Sequence, residues 1–392
     1  MEYQKKQNMI LLALALSAFA IGSTEFISVG LMPLLMKDFN ISVELAGLTV
    51  SLYALGITIG APILAVITNH WSKKRLLILI MIVFIIGNIT VATAPNFTVV
   101  LIGRVISSLS HGLFMSIASI IAADVVEPSR RSSAIAVMFT GLTVATVTGV
   151  PLGTFIGQIS TWHMSFYFIS LIGIIGLIVN WIIIPNDLPL GSKTSFMGII
   201  NVLKSKTLRV ALIITALGYG STFTVYTFIT PILQSMMHWS ANSIVIILVI
   251  YGFMVAVGNT IGGRLTNQNI LPALIKMFIG LLITLILLLL FMSNHWLGLL
   301  SVMLLGLFAF MNVPGLQLYI VQMAEKYTPN DISIASALNI SAFNIGITLG
   351  SLLGGQGVAA VGLRITPYFG IIMVFISILL TLMLNNKNNI KK

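Results

Sequence analysis

The chain has 392 residues, of which 58% are hydrophobic and only 7% charged, and its mean hydropathy is +1.07. A water-soluble globule of this length cannot bury so much apolar surface, so the composition excludes an ordinary soluble protein and indicates a lipid environment. The net charge of +11 leaves a nucleic-acid partner open until the distribution of that charge is considered.

Twelve apolar runs follow one another along the chain, each near the roughly 20 residues that a helix needs to cross a bilayer. The first run follows Lys5 and Lys6 as in a signal peptide, but it continues well past the apolar region of about 7 to 15 residues usual there. Solid apolar runs also argue against a β-barrel, whose strands alternate apolar and polar residues. We therefore predict transmembrane helices over 9–36, 45–68, 76–94, 99–123, 133–158, 166–184, 210–233, 243–263, 270–292, 296–321, 332–361 and 367–384.

The basic residues are distributed unequally between the two predicted sides of the membrane. If both termini lie on one side, all Lys and Arg residues lie on that side except Lys37, Arg364 and Arg104, the last within a predicted helix. Cytoplasmic loops carry such an excess of basic residues. The charge therefore predicts cytoplasmic termini and requires no nucleic-acid partner. The sequence contains no cysteine, so it has no disulfide or thiolate chemistry.

Two stretches of the first half recur in the second. "GAPILAVITN" (60–69) aligns with "GNTIGGRLTN" (258–267) at an offset of 198, and "GVPLGTFIG" (149–157) aligns with "GITLGSLLG" (346–354) at an offset of 197. We predict a six-helix bundle over 1–185, a cytoplasmic linker over 186–208 and a second six-helix bundle over 209–392. Parallel repeats of this kind are typical of transporters with a binding site near the membrane midplane.

One acidic residue stands apart from the other eight, which fall in predicted loops or at helix ends. Glu25, in "GSTEFISVG" (22–30), lies in the middle of the first predicted helix. A charge at the bilayer centre costs about 2.5 to 3.5 kcal/mol on insertion scales. A protonated acid bonded to a neighbouring helix is the structural alternative. We interpret Glu25 as a proton site, because a carboxyl group that alternates between dry and cation-paired surroundings can bind and release a proton.

Four stretches resemble the major facilitator superfamily, and the likeness extends over nearly the whole chain. They are "GSTEF" (22–26), "SLYALGITIGAP" (51–62), "GRVISSLSHGLF" (103–114) and "GLTVATVTGVPLGTFIG" (141–157). The chain is similar to bacterial proton antiporters that export drugs, sugars or nucleosides, especially the arabinose-efflux-like branch. The resemblance implies an all-α membrane protein with twelve transmembrane helices in two six-helix bundles, working by alternating access.

The fourth predicted helix supplies two further candidates for proton coupling beside Glu25. Arg104 and His111 lie two helical turns apart and share one face. The resemblance implies that the first and fourth helices both line the central cavity. Histidine changes its charge near physiological pH, which suits proton handling or substrate contact. In the structural alternatives His111 is an internally hydrogen-bonded residue and Arg104 anchors backbone carbonyl groups.

The fifth predicted helix carries the glycine and proline pattern of the antiporter motif, at Gly141, Gly149, Pro151, Gly153 and Gly157. Glycines permit close helix approach, and proline frees a carbonyl group and allows a bend. We predict a tight, kinked interface that can seal or rock. Ordinary packing of small residues is the alternative.

The loop between the second and third helices departs from the family pattern. "NHWSKKR" (69–75) has Asn69 where relatives carry an aspartate, although the basic residues Lys73, Lys74 and Arg75 are retained. The charge-relay gating that the resemblance implies for this loop is therefore weakened, with an amide hydrogen bond from Asn69 as a substitute.

Aromatic side chains mixed with uncharged polar groups suit an amphipathic ligand. The seventh and tenth predicted helices supply both, and packing is the alternative role for each residue. The predicted substrate contacts are Phe26, Tyr53, His111, Phe114, Thr143, Tyr219, Thr222, Phe223, Tyr226, Asn312 and Gln317.

These observations predict proton-coupled export of small amphipathic molecules across the bacterial cytoplasmic membrane by a monomer. The sequence has no "GxxxxGK[ST]" nucleotide motif and no clustered histidine and carboxylate metal site, so we expect no cofactor, no metal and no enzymatic activity. The alternatives are an uptake symporter, an uncoupled facilitator, and, in a different class, a receptor or sensor.

Overall fold

The computed structural model describes residues 2–68, 71–127, 131–186, 188, 196–266 and 269–390. These residues form helices and short connections, with no β-strand among them. In chain order the α-helices are α1 (Glu2–Phe39), α2 (Val43–Ile67), α3 (Lys73–Ala92), α4 (Phe97–Asp124), α5 (Arg131–Val144), α6 (Val150–Ile159), α7 (Trp162–Ile183), α8 (Phe196–Lys204), α9 (Lys206–Tyr226), α10 (Ile229–Pro231), α11 (Ala241–Thr266), α12 (Ile270–Phe291), α13 (His295–Ala309), α14 (Val313–Tyr327), α15 (Ile332–Val361) and α16 (Thr366–Ile390).

Twelve helical segments of the described chain are long and apolar enough to cross a membrane, which confirms the predicted number and the all-α class. One of these segments joins α5 to α6, and another joins α13 to α14. The short α8 lies in the stretch predicted as a linker, and α9 begins at Lys206, inside the predicted linker.

Three of the predicted runs are interrupted, each just before a proline. A π-helical turn, Ala145–Gly149, precedes Pro151; α9 stops at Tyr226 ahead of Pro231; and residues 310–312 separate α13 from α14 ahead of Pro314. Proline has no N–H, and its ring clashes with the carbonyl group four residues earlier. That carbonyl group belongs to a residue within the interruption in each case. The sequence predicted the bend at Pro151 but not the other two breaks.

The chain divides into two compact units. Unit 1 comprises Met1–Leu34 and Gly56–Thr194, and unit 2 comprises Leu35–Leu55 and Ser195–Lys392. Within unit 2, Ser51 Oγ lies 2.8 Å from Ser351 Oγ. The first half of α2 therefore packs with the later helices, whereas the predicted domains divide the chain once, within the linker.

The internal repeat has a counterpart in the packing of each unit. In unit 1, a Cβ added to Gly60 would lie 2.5 Å from Leu109 Cδ2. In unit 2, a Cβ added to Gly258 would lie 1.9 Å from the carbonyl oxygen of Leu307. Both members of the second pair lie 198 positions after those of the first. Glycines at equivalent positions of the two halves therefore lie against residues at equivalent positions.

The second aligned stretch behaves in the same way. Added Cβ atoms at Gly149 and Gly157 would lie 2.3 Å from Ser23 Oγ and 2.5 Å from Leu31 Cδ2. At the counterparts in unit 2, the residues 197 positions later are among the neighbours but are not the nearest. Gly220 N lies 3.0 Å from an added Cβ at Gly346, beyond the Ala216 carbonyl oxygen, and Phe228 Cε2 lies 2.8 Å from one at Gly354, just beyond the Thr224 carbonyl oxygen at 2.7 Å. The repeat seen in the sequence is therefore also a repeat of helix contacts.

Candidate functional site

Arg104 binds the backbone of α1 directly beside Glu25. Its Nη1 donates to the carbonyl oxygen of Thr24 at 2.5 Å, and its Nη2 donates to the carbonyl oxygen of Glu25 at 2.9 Å. The Arg104 side chain is fully buried. Arg104 therefore makes the backbone contacts foreseen in the structural alternative, and these contacts hold the segment that carries Glu25.

The Glu25 side chain is half-buried, whereas its neighbours Thr24 and Phe26 are buried. Thr24 Oγ1 donates to Asn88 Oδ1 of α3 at 3.2 Å, so α1 is bonded to α3 as well as to α4. The charge of Arg104 acts electrostatically on the Glu25 carboxyl group. The acid is thus held on a fixed segment and keeps partial access to its surroundings.

His111 lies on α4, two turns after Arg104, and is buried. It is within the electrostatic reach of Arg104. Next to it, a Cβ added to Gly112 would lie 2.4 Å from Ala61 Cβ, so α4 is closely packed against α2 at this level. The structure therefore places Glu25, Arg104 and His111 in one region of unit 1.

The antiporter-motif glycines form a stripe that packs against α1. Added Cβ atoms at Gly141 and Gly153 would lie 1.9 Å from the Ala15 carbonyl oxygen and 2.2 Å from Ile27 Cδ1. Gly149 and Gly157 follow the same rule, so each of the four glycines lies against the residue 126 positions before it in the chain. The π-helical turn that ends at Gly149 lies within this stripe, and Pro151 follows it. This stripe thus packs against the helix that carries Glu25.

The basic loop motif contributes one ion pair within unit 1. Lys73 Nζ pairs with Asp124 Oδ2, joining the start of α3 to the end of α4, and Lys73 is buried. Lys74 is half-buried and Arg75 is exposed. Asn69 lies outside the described residues. The carboxylate partner in this region is thus on α4.

The other predicted contacts of the first half differ in exposure. Phe114 in unit 1 and Tyr53 in unit 2 are buried. Thr143 is exposed, and its Oγ1 donates to the carbonyl oxygen of Phe139 at 3.3 Å. The hydroxyl of Thr143 is therefore bonded within its own helix.

An aromatic cluster in unit 2 contains three of the predicted contacts, Tyr219, Phe223 and Tyr226 of α9. The Tyr219 ring centroid lies 5.3 Å from that of Phe310 and 4.9 Å from that of Phe343, both in T-shaped arrangements. Such edge-to-face geometry is the favoured one for aromatic pairs. Phe310 and Phe343 are half-buried. Neither residue is among the contacts predicted from the sequence, although Phe310 lies in the break ahead of Pro314.

The cluster continues to a residue of α11. Tyr226 stacks on Tyr251, with ring centroids 5.2 Å apart and an interplanar angle of 12°. The Tyr251 hydroxyl is buried without a hydrogen-bond partner among the described residues. Tyr251 is also absent from the predicted contacts, because nothing in the sequence of α11 indicates which of its residues meets α9.

Asn312 is fully buried at the start of α14, and neither its Nδ2 nor its Oδ1 has a hydrogen-bond partner in the described chain. Thr222 Oγ1 is also buried and has no hydrogen-bond partner in the described chain. Buried polar atoms are nearly always hydrogen-bonded, so a buried amide whose nitrogen and oxygen both lack partners needs an explanation such as ligand binding. These two residues can offer both donors and an acceptor to a ligand.

Gln317 differs from Asn312 because both of its polar atoms are already engaged. Gln317 Nε2 donates to Ser336 Oγ, and Gln317 Oε1 accepts from Asn339 Nδ2, each at 2.7 Å. Asn339 Oδ1 accepts in turn from Thr215 Oγ1 at 2.7 Å. This network joins α9, α14 and α15 within unit 2.

No group of three or more His, Cys, Asp or Glu residues that could hold a metal ion occurs in the part of the chain that the structure describes. The candidate groups are the half-buried carboxyl group of Glu25 in unit 1, and the aromatic faces with the unpaired polar groups of Asn312 and Thr222 in unit 2.

Comparison with known proteins gives the context for this arrangement. The sequence profile of the Major Facilitator Superfamily matches residues 14–328. The chain is 51% identical to the "Uncharacterized MFS-type transporter YtbD" of Bacillus subtilis, covering 95% of this chain and 94% of the relative. It is 34% identical to the "Inner membrane transport protein YdhP" of Escherichia coli, with 96% of each chain covered. A "Probable sugar efflux transporter" of Helicobacter pylori is 27% identical over 94% and 93% of the two chains.

Solved structures share the fold. A bacterial homologue of the human lysosomal transporter Spinster matches with a TM-score of 0.76 at 15% identity, and 96% of each chain is covered. At 15% identity, this likeness shows a shared fold and nothing about the substrate. The family match covers most of the chain and the relatives cover nearly all of it, so this multi-pass membrane protein belongs to the Major Facilitator Superfamily of transporters.

Proposed function

We propose that this transporter exports small amphipathic molecules, neutral or weakly basic, in exchange for protons. The proposal is carried by Glu25, the acidic residue in the middle of a described membrane-spanning helix. Its backbone is fixed by Arg104, and its side chain keeps partial access. Ionisable residues within membrane spans mark ion or substrate pathways far more often than structural sites.

The cycle that we propose uses alternating access between two sides of the bacterial cytoplasmic membrane, with both termini in the cytoplasm. Substrate binds when the site is open to the cytoplasm, and after the switch a proton on Glu25 competes with or displaces it. The protonated carrier then returns. His111 is proposed to share in proton handling, with Arg104 positioning Glu25. The antiporter-motif glycines provide the close interface along which α5 and α6 rock against α1.

Substrate contacts are proposed at the aromatic cluster and at the unpaired amide of Asn312. Helices interrupted within the membrane often form transporter sites, because their unwound backbone is tolerated where it lines a cavity. Asn312 and Phe310 both lie within such a break. Aromatic faces with few polar groups suit an amphipathic molecule. The proposed contacts in unit 2 include no acidic residue, which argues against a strongly cationic substrate.

Energetically, one proton is sufficient for detoxification. A proton moving inward across about 100 mV releases roughly 2.3 kcal/mol. For a neutral solute this corresponds to a concentration ratio of about 50. The proposed export direction is supported by the name of the Helicobacter pylori relative, a sugar efflux transporter. Uptake by symport, uncoupled diffusion and ligand sensing without flux are the competing functions.

Two measurements test the proposal. In everted membrane vesicles, purines, sugars and lipophilic cations would be screened for uptake. Each would be measured with an acidic vesicle lumen and again after the proton gradient has been collapsed. We expect at least one class to accumulate only with the gradient. In detergent, that compound should release protons from the purified protein. Accumulation that is indifferent to the gradient would indicate a facilitator, and binding without flux would indicate a receptor.

Replacing Asn312 by Leu should separate ligand binding from stability. The substitution removes two buried polar atoms that have no partner, so the folded protein should be as stable as the wild type or more so. Substrate affinity should fall on the order of 10-fold to 100-fold, the effect of losing one or two buried hydrogen bonds. Thermal denaturation and binding titrations measure the two quantities.

The matched control is Asn339→Leu, a change of another fully buried asparagine in unit 2. Asn339 is bonded to Thr215 and Gln317, so its loss should lower stability because Thr215 Oγ1 and Gln317 Oε1 lose their hydrogen-bond partner. If Asn312→Leu destabilises as much as Asn339→Leu and leaves affinity unchanged, Asn312 is a structural residue.

A further inference from the structure

A cavity of about 520 Å³ opens at the end of unit 1 where α3 begins and α7 ends. It is lined by Ser72, Lys74, Arg75, Ile78, Trp181 and Asn186. The volume lies in the range of small-molecule sites. This cavity contains none of the residues assigned above to proton coupling or substrate contact, although Lys74 and Arg75 belong to the loop motif for which the resemblance implies gating.

The two cations of this cavity are available for a ligand. Lys73 is already paired with Asp124. Lys74 and Arg75 have no ion pair with any residue that the structure describes, and Ser72, which precedes α3, makes no side-chain capping bond. The polar lining therefore offers two positive charges together with the hydroxyl of Ser72 and the amide of Asn186. This set of groups matches a phosphate bearing one negative charge.

An apolar surface leads from the cavity along both helices toward the middle of the membrane. One turn beyond Ile78 on α3, Ile82 is 39% exposed, and one turn before Trp181 on α7, Ile178 is 49% exposed. Trp181 itself is 66% exposed. Tryptophan is enriched at the level of the lipid headgroups, where its ring contacts chains and its N–H remains near water. The charged lining of the cavity is therefore followed, along α3 and α7, by exposed apolar side chains.

From this arrangement we infer that the cavity is a binding site for an anionic phospholipid. The phosphodiester lies between Lys74 and Arg75, with Ser72 and Asn186 as hydrogen-bonding groups. The acyl chains follow the exposed isoleucines of α3 and α7, and the glycerol backbone lies at Trp181. Basic pockets between membrane helices bind anionic lipid headgroups for these reasons. In the orientation proposed above, the site faces the cytoplasmic leaflet, but lipid binding itself does not depend on the direction or coupling of transport.

The test is lipid binding by the purified full-length protein, read by native mass spectrometry and by lipid-dependent thermal denaturation. Phosphatidylglycerol, phosphatidylcholine and soluble glycerol 3-phosphate are the three probes. Wild type should retain phosphatidylglycerol in preference to phosphatidylcholine. The variant Lys74→Gln/Arg75→Gln should lose about 30-fold in affinity for phosphatidylglycerol, the effect of removing two juxtamembrane cations. If this variant does not purify as folded protein, Lys74→Gln and Arg75→Gln serve singly.

The matched control is Lys204→Gln/Lys206→Gln, which removes the same charge at exposed positions outside the cavity. It should bind phosphatidylglycerol as wild type does. Equal loss in both variants would show a diffuse charge effect and overturn the site. Equal protection by glycerol 3-phosphate would also overturn it, because the ligand would then be a soluble phosphate ester.

Asp187 follows Asn186 in the chain and lies outside the described residues, so it needs a variant of its own. Asp187→Asn should leave the preference for phosphatidylglycerol intact or strengthen it, since the substitution removes a negative charge that would repel an anionic headgroup. Loss of lipid binding in Asp187→Asn would contradict the inference.

Discussion

Glu25→Gln is expected to abolish accumulation of substrate against a gradient while leaving a folded protein that still exchanges substrate. Glutamine keeps the size and hydrogen-bonding capacity of a protonated glutamate but cannot release a proton, so the proton gradient can no longer be coupled to transport. Up to the full ratio of about 50 that one proton supports at 100 mV should be lost. Everted vesicles measure accumulation, and counterflow of labelled substrate measures exchange.

The control for this experiment is Glu325→Gln, because Glu325 is exposed near the end of α14 and should not affect coupling. Substrate-induced proton release provides a second readout, present in wild type and absent in Glu25→Gln. A Glu25→Gln protein that releases as many protons as wild type would make His111 the candidate proton site. A protein that does not fold would assign Glu25 a structural role.

Gly262→Ala should strongly destabilise the protein and impair transport, whereas Gly263→Ala should be harmless. A Cβ at Gly262 would lie 1.8 Å from the carbonyl oxygen of Met311, a contact that only a backbone shift can relieve. Overpacking of this kind costs about 1 to 3 kcal/mol or more. Met311 lies between Phe310 and Asn312, so the shift also displaces the proposed substrate contacts.

The adjacent Gly263 is a closely matched control. Its added Cβ would have Pro314 Cβ, at 3.9 Å, as its nearest neighbour, which is ordinary van der Waals contact. Alanine favours the helix over glycine by roughly 1 kcal/mol, so Gly263→Ala should be neutral or slightly stabilising. Thermal denaturation in detergent compares the variants. Equal midpoints for the two variants would mean that α11 does not approach the break as closely as the structure indicates.

Local patterns predicted the helical framework well because membrane insertion depends on local composition. A run of about 20 apolar residues forms a helix whatever its neighbours are, since its backbone groups can be satisfied only within the helix. The glycine repeats were also informative, because a position without a side chain indicates close approach wherever the neighbour lies. Thus Gly60 and Gly258 could be matched before their partners, Leu109 and Leu307, were known.

The candidate site was predicted only in part. Glu25 is conspicuous in the sequence because a carboxyl group within a membrane span is rare. That Arg104 bonds the backbone beside it is a matter of how α4 packs on α1, which no local pattern encodes. Gln317 and Asn312 are equally plausible ligands by residue type, yet one is fully engaged in a network and the other has both polar atoms unpaired.

Composition and spacing along single helices were enough to predict the lipid environment, the number of spans, the repeat and the position of the intramembrane acid. Which polar groups are paired, where the helices break ahead of Pro231 and Pro314, and which aromatic rings meet became known only from the packed helices. Hydrogen bonds and ring contacts between helices depend on the rotation and depth of each helix against its neighbours. Those quantities are set by the packing of whole surfaces, which a single helix does not record.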